Sequence, residues 1–335
     1  MDEGEVEARN SKGEIIGTKE TINGREYYTV TTDEKGELTL DLPEGLYKAV
    51  EIQANNEKYD ISDATYYFGI GGSREATRTM GVTQATSIGG NNTDQINSLE
   101  ATSDGGYIAG GFFASSSIQV GEYTLTNNGY WDGMIIKYGE EGDVDWARNV
   151  GGSNDDIIEA VAETSDGGYI VVGYFASSSI QVGDYTLNNN NSRGYSNGMI
   201  IKYSAEGEVD WVRSVGGSDD DEIWAVAATS DGGEIVGGNL ESRRIQVGEY
   251  KLENKDSYDG MIIKYSQNGN TQYATSITGN QIDNILSLHI TSDDGYIVGG
   301  FFQSNELDVG NNIKLSNSSD IEYNSKKYTE GMIIK

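Results

Sequence analysis

The chain has no cysteine, one proline (Pro43) and one histidine (His289) in 335 residues. The first absence excludes disulfides, thiolate metal sites and cysteine nucleophiles. The lone imidazole sits in the alternating run Leu286-Ser287-Leu288-His289-Ile290-Thr291, which reads as a packed or surface strand position and gives no support to a Ser-His-Asp triad. Basic residues are scarce too. Against 54 Asp and Glu there are 23 Lys and Arg, a formal charge of −31 that repels nucleic-acid backbones and anionic membrane surfaces and favours solubility. No apolar run reaches the roughly 18 residues of a membrane-spanning helix, and Met1-Asp2-Glu3-Gly4 is too acidic for a signal peptide. Neither nucleic acid nor membrane insertion is expected.

Glycine (45) and tyrosine (22) are abundant, and Val, Ile, Thr and Tyr cluster in runs bounded by Gly, Asn and Asp, which predicts an all-β chain. Gly133-Met134-Ile135-Ile136-Lys137 recurs at 198–202, 260–264 and 331–335. A companion turn, Ser-Asp-Gly-Gly or Ser-Asp-Asp-Gly, recurs at Ser103, Ser165, Ser230 and Ser292, with spacings of 62, 65 and 62 residues. Four copies of one unit therefore fill the chain from about residue 83, beginning near 83, 145, 210 and 272. The period suits a four-stranded sheet with one long loop.

In the second copy the pattern predicts strands at 157–164, 169–175, 198–203 and 209–215, an antiparallel meander whose first turn uses Asp-Gly and Gly-Gly for positive φ. Ala160-Val161-Ala162 and Ile170-Val171-Val172 are nearly continuous apolar runs, as in strands covered on both faces. Such sheets bury both faces by stacking around an axis, which predicts a β-propeller. The residues resemble a family of bacterial propeller-type repeats marked by Gly-Gly-Ser-x-Asp-Asp, Ser-Asp-Gly-Gly-Tyr-Ile and a later Gly-hydrophobic-Ile-Lys-Tyr strand. Gly151-Gly152-Ser153-Asn154-Asp155-Asp156 and Gly216-Gly217-Ser218-Asp219-Asp220-Asp221 carry the match, while residues 89–94 and 278–283 depart from it. The resemblance implies a fold common in secreted and surface proteins of bacteria, and no activity.

The last copy lacks an outermost strand and residues 83–88 are a surplus one, so a four-bladed ring closed by pairing residues 85–88 with residues 332–334 is expected; an arc of a larger propeller is the competing picture. Earlier copies continue with Tyr138, Tyr203 or Tyr265 where the last stops at Lys335, which suggests a monomeric fragment of a longer protein. Residues 1–62 read as a small β-sandwich and 63–82 as a linker. The run from Thr31 to Tyr47, with Pro43-Glu44-Gly45, resembles the prealbumin-like B-type repeats of Gram-positive collagen-binding adhesins. Some of that family carry a Lys-Asn crosslink assisted by a Glu that Glu51 would match; Lys12, Lys19, Asn55 and Asn56 are equally arguable partners, and an uncrosslinked sandwich is the expectation.

Propeller geometry places the long connections and the Gly-Gly-Ser loops on one face. Tyr130, Trp131, Tyr195, Tyr258 and Tyr328 lie at polar, Asn-rich tips of the long connections, the chemistry used to stack on sugars or peptides. Asp155, Asp156, Asp219, Asp220, Asp221 and Asp283 form an oxygen-rich set that is a candidate calcium site, although the calcium-loop spacing is absent and turn capping is the favoured role. No other cofactor is implied. Carboxylates facing an axis are also what glycosidases use, but catalytic pairs need unlike environments and these acids recur in similar ones. The expected function is a non-catalytic, extracellular or cell-surface binding or adhesion module for a glycan or protein. A structural spacer and a polysaccharide-acting glycosidase or lyase are the alternatives.

Overall fold

Period-two patterning with turn chemistry at fixed intervals dictates strands and tight hairpins, and no helix interrupts them among the described residues. The computed structural model describes residues 85–335 apart from 190, 192, 319–321, 324 and 325, together with the strands Thr18–Ile22, Arg25–Thr29, Gly45–Asn55 and Lys58–Ile70. The chain divides into two compact units, Met1–Thr86 and Ser87–Lys335.

In the first unit Thr18–Ile22 pairs antiparallel with Arg25–Thr29, and Gly45–Asn55 with Lys58–Ile70, in two separate two-stranded sheets. The last strand runs through residues 63–70, which were expected in a linker. Lys12, Asn56 and the turn at Pro43 lie outside the described residues.

The second unit holds four sheets of one pattern. The first comprises Asp94–Ala101, Tyr107–Phe113, Asp132–Tyr138 and Val144–Val150; the second Asp156–Glu163, Tyr169–Phe175, Asn197–Tyr203 and Val209–Val215; the third Asp221–Ala228, Glu234–Leu240, Asp259–Tyr265 and Thr271–Ile277. These are antiparallel meanders, with boundaries within a residue of those predicted for the second copy. The fourth sheet has three strands, Asp283–Ile290, Tyr296–Phe302 and Glu330–Ile334.

The two recurring motifs are one device. The lysine that ends Gly-Met-Ile-Ile-Lys reaches the aspartate of the Ser-Asp-Gly turn in every copy: Lys137 to Asp104 at 2.8 Å, Lys202 to Asp166 at 3.0 Å, Lys264 to Asp231 at 2.6 Å and Lys335 to Asp293 at 3.0 Å. Each aspartate also accepts the hydroxyl of the threonine two residues earlier, and in the first three copies the amide N–H of the glycine two residues later. The Lys137 ammonium and the Thr102 hydroxyl hold the Asp104 carboxyl well below the usual carboxylate range. The third strand is thereby locked to the first turn.

Sheet packs on sheet through a knob and a notch. Ile158, from the first strand of the second sheet, lies over Gly110 and Gly133 of the first; a Cβ at those glycines would stand 2.7 and 2.9 Å from its side chain. Ile285 repeats the contact over Gly237 and Gly260, and Ile223 over Gly198. In the first three copies the glycine opening Gly-Met-Ile-Ile-Lys leaves room for this approach. On the second sheet Val171 faces the core shared with the first sheet, while Ile170 and Val172 face the core shared with the third, so it is covered on both sides. The hairpin in each long connection, such as Ser179–Val182 with Tyr185–Asn188, folds Ile180, Val182 and Leu187 onto the same core.

The expected strand exchange is not formed. Glu330–Ile334 pairs with Tyr296–Phe302 alone, and residues 85–90 adopt no strand. Ile88 instead packs against the first sheet's core, and the Gly90 N–H is tied to Asp94 at 2.8 Å. Ile333 is 81% exposed where Ile135 and Ile200 are fully buried, and Leu99 is 64% exposed where Val161 is 5% exposed.

One position opposes its neighbours. Tyr107, Tyr169 and Tyr296 begin the second strands of their sheets, but the third sheet has Glu234 there, fully buried, with neither carboxylate oxygen hydrogen-bonded. Burial, partly offset by Lys202 and reinforced by Asp166 and Asp231, pushes this carboxyl up to about 8 from 4.5. The folded state keeps a proton that the unfolded chain releases, so Glu234 costs stability as pH rises between those values, at up to about 1.4 kcal/mol per pH unit. Replacing Glu234 with Tyr is expected to raise the melting temperature, with a gain larger at pH 8 than at pH 5; an equal gain at both would refute the assignment. Asp166→Asn, which leaves the buried Lys202 only the more distant Asp210 at 3.8 Å, is expected to cost about 2 kcal/mol in urea unfolding, whereas Asp293→Asn, opposite the exposed Lys335, should cost far less.

Candidate functional site

Within the sheets, the repeats differ at one recurring place. In all four sheets the register of the first strand shifts by one residue, between Ile96 and Ser98, Ile158 and Ala160, Ile223 and Ala225, and Ile285 and Ser287. The skipped residue is a β-bulge, a device that re-aims a side chain out of the ladder. Those residues are Asn97, Glu159, Trp224 and Leu286, no two alike, although the isoleucine before each is invariant. Next to them, the cross-strand pairs Gln95 with Phe112, Ile157 with Tyr174, Glu222 with Asn239, and Asn284 with Phe301 are also all different.

The second and third sheets bring their members of this set together. The rings of Tyr174 and Trp224 lie 6.1 Å apart, and the indole N–H donates to Asn239 Oδ1. Glu222 accepts the Ser196 hydroxyl at 3.3 Å, and Glu159 accepts Asn97 Nδ2 at 3.2 Å. Burial and then the charge of Glu222 push the Glu159 carboxyl up to about 7; burial and then Asp220 raise Glu222. The Tyr174 phenol is pushed above its ordinary value by burial and by the charges of Glu222, Glu159, Asp155 and Asp220. Two half-buried carboxyls, two aromatic rings and an amide thus lie close together at the junction of two sheets. Such a set can stack on an apolar ring face while accepting hydrogen bonds from hydroxyls.

The aromatic residues expected at the loop tips scatter. Tyr130 is 71% exposed and Tyr328 57% exposed. Trp131 stacks on Phe112 at 4.9 Å, and its backbone forms an isolated bridge with Asp155. Each loop is instead clamped by an asparagine amide: Asn127 Nδ2 donates to the Tyr130 carbonyl, Asn189 to that of Tyr195 and Asn317 to that of Tyr328. Tyr258 alone turns towards the carboxyls, its hydroxyl raised to about 12 by burial and by Glu241, Asp220 and Glu222.

The candidate calcium ligands do not converge on one point. Asp156, Asp221 and Asp283 are fully buried and each staples its own loop. Asp156 accepts Gly152 N–H at 2.7 Å and the Ser177 hydroxyl at 2.6 Å; Asp221 accepts Gly217 N–H at 2.8 Å and Ser242 N–H at 3.0 Å; Asp283 accepts the Ser304 hydroxyl at 2.5 Å. Burial lifts Asp156 and Asp221 to about 6 in spite of these bonds. Asp219 accepts the Ser218 hydroxyl, and Asp220 the Ser196 N–H and hydroxyl. No group of three or more His, Asp or Glu side chains placed to hold an ion occurs among the described residues.

Glu222 belongs with the oxygen-rich set expected near the axis, whereas Glu159, Tyr174, Trp224 and Asn239 were not picked out from sequence. The available signal was their variation between copies whose flanking Asp and Ile never change.

No protein-family model matches the chain. Over 141 residues it is 26% identical to the regulatory protein FlaEY of Caulobacter vibrioides, an alignment covering 42% of this chain and 15% of that protein's length.

Proposed function

We propose that the four sheets are blades of a β-propeller and that the chain is a binding module for a glycan, carried on the surface of a bacterium or secreted from it. The propeller reading is supported by the repeated knob-and-notch stacking of consecutive sheets, and by the first strands of the first, second and fourth sheets converging at one end: Glu100 is raised by burial and by Glu163, and lowered by His289. The glycan reading rests on the bulge row. Between an aspartate and an isoleucine that recur in every first strand and the strand that follows, the residues re-aimed by the bulge differ from copy to copy, and at the second and third blades they and their neighbours form an aromatic pair edged by carboxyls and an amide.

A second reading has its own observation. Glu159, pushed up to about 7 by burial and by Glu222, is a carboxyl that keeps its proton near neutral pH, as the general acid of glycosidic cleavage does.

A glycan array followed by calorimetry on the bound sugars tests both readings. Trp224→Ala is expected to weaken binding about tenfold, the scale of one aromatic stacking contact, and to lower the melting temperature modestly through loss of the Tyr174 and Asn239 contacts, with the variant still folded by circular dichroism. Where Glu159 accepts a sugar hydroxyl, affinity rises as pH passes upward through 7 and the carboxyl ionises; Glu159→Gln flattens that profile. Release of reducing ends from an array hit, lost in Glu159→Gln while binding persists, would establish the enzyme. No hit, or full affinity in Trp224→Ala, would remove the bulge row from consideration.

A further inference from the structure

The third repeat departs from the others in a second way. Where the first and second repeats have Ser116-Ser117 and Ser178-Ser179, it has Arg243-Arg244, and where they have Asn128 and Asn190 it has Lys255. In a chain with 23 basic residues against 54 acidic ones, three cations introduced at adjoining positions of one repeat are not background. The fold assembles them. Arg244 is on the first strand of the hairpin Arg244–Val247 with Tyr250–Glu253, Arg243 directly precedes it, and Lys255 follows it after Asn254. The three line a cavity of about 470 Å³ with Ser218, Glu253 and Asn254. A neighbouring hollow of about 280 Å³ shares Lys255 and is lined further on by Asn280, Asn305 and Lys314.

Arg243 and Lys255 form no salt bridge with a described residue. Arg244 pairs with Glu253, but both side chains are more than half exposed. An exposed pair of that kind adds little stability and yields readily to a competing anion. Lys314 is similarly engaged by Glu306 at the far end. Across the two hollows Arg243, Arg244, Lys255 and Lys314 stand against Glu253, Glu306 and Asp308, and Lys255 also acts on the buried Asp259, so the cleft keeps a small excess of positive charge centred on Arg243, a guanidinium suited to a planar or tetrahedral oxyanion.

We propose that this cleft binds the anionic group of an acidic sugar, a carboxylate or a sulfate carried on an oligosaccharide. Three observations select that class. The formal charge of −31 repels densely charged polymers and anionic bilayers, so the ligand's charges are few and separated by neutral groups. Asn280 and Asn305 supply amide partners for sugar hydroxyls, and Ser218, whose own hydroxyl proton goes to Asp219, supplies an acceptor. No aromatic side chain lines either hollow, so a nucleobase finds no stacking surface. The cleft shares no residue with the bulge row, and its occupancy is independent of that site.

The test is a calorimetric titration at low and high salt with trigalacturonate, with a sulfated galactose oligomer and with the neutral galactose oligomer as control. Binding of a charged oligomer, weakened by salt and absent for the neutral one, is expected; whichever charged arm binds more tightly identifies the oxyanion. Arg243→Ser, Arg244→Ser and Lys255→Asn together restore the residues of the sister repeats, so the fold tolerates them, and they should lower affinity more than about tenfold, the scale of losing charge-assisted hydrogen bonds. The single exposed change Arg243→Ser should lower it in part, and Trp224→Ala should leave it unaltered. Equal binding of the neutral oligomer, no binding of either charged one, or undiminished binding by the triple variant would each overturn the proposal.

Discussion

Each repeat depends on one ion pair held at the end of a strand. The lysine closing the third strand is threaded beneath the first turn, where its ammonium meets an aspartate already holding a threonine hydroxyl and, in most copies, a glycine N–H. The partners are 33 to 42 residues apart in sequence, so the contact sets the register between a hairpin and a strand that returns only after a long loop. A buried ammonium without its carboxylate costs several kcal/mol, and slipping that strand by one residue would turn its lysine to the opposite face. The pair therefore selects against wrong registers more than it adds net stability.

With register set, stacking follows. The glycine that begins the same strand leaves a notch for the isoleucine of the next sheet, and the aspartate two residues before that isoleucine anchors the loop that carries the chain across. Lysine, glycine, isoleucine and aspartate thus form a linked set in which each copy prepares the surface for the next. The fourth sheet presents the same notch at Gly331 with nothing near it, which accounts for the exposure of Ile333 beside it.

Invariant packing frees the remaining positions. A bulge in every first strand projects one residue that takes no part in the ladder, and the hairpin of each long connection exposes alternate residues while Ile245 and Val247, or their equivalents, hold it down. Variation is tolerated at both places because neither carries the fold. Aromatic and acidic side chains accumulate at the bulges of the second and third sheets, and cations at the hairpin of the third.

The sequence by itself determined the all-β class, the four copies, the order and limits of the strands, and the turns, because alternation and Asp-Gly chemistry act between near neighbours in the chain. The same local rules misjudged residues 85–88, whose strand-like pattern did not reveal that Ile88 and Gly90 are held by the first sheet. The turn-capping role of the repeated aspartates was legible too; only the tertiary structure decided that Glu159 and Glu222 from different repeats come close to one another and that Arg243 and Lys255 line one cleft. These are contacts made across sheets, and a one-residue bulge or the seating of one isoleucine in a glycine notch sets them, events too small to alter the pattern from which the strands themselves are read.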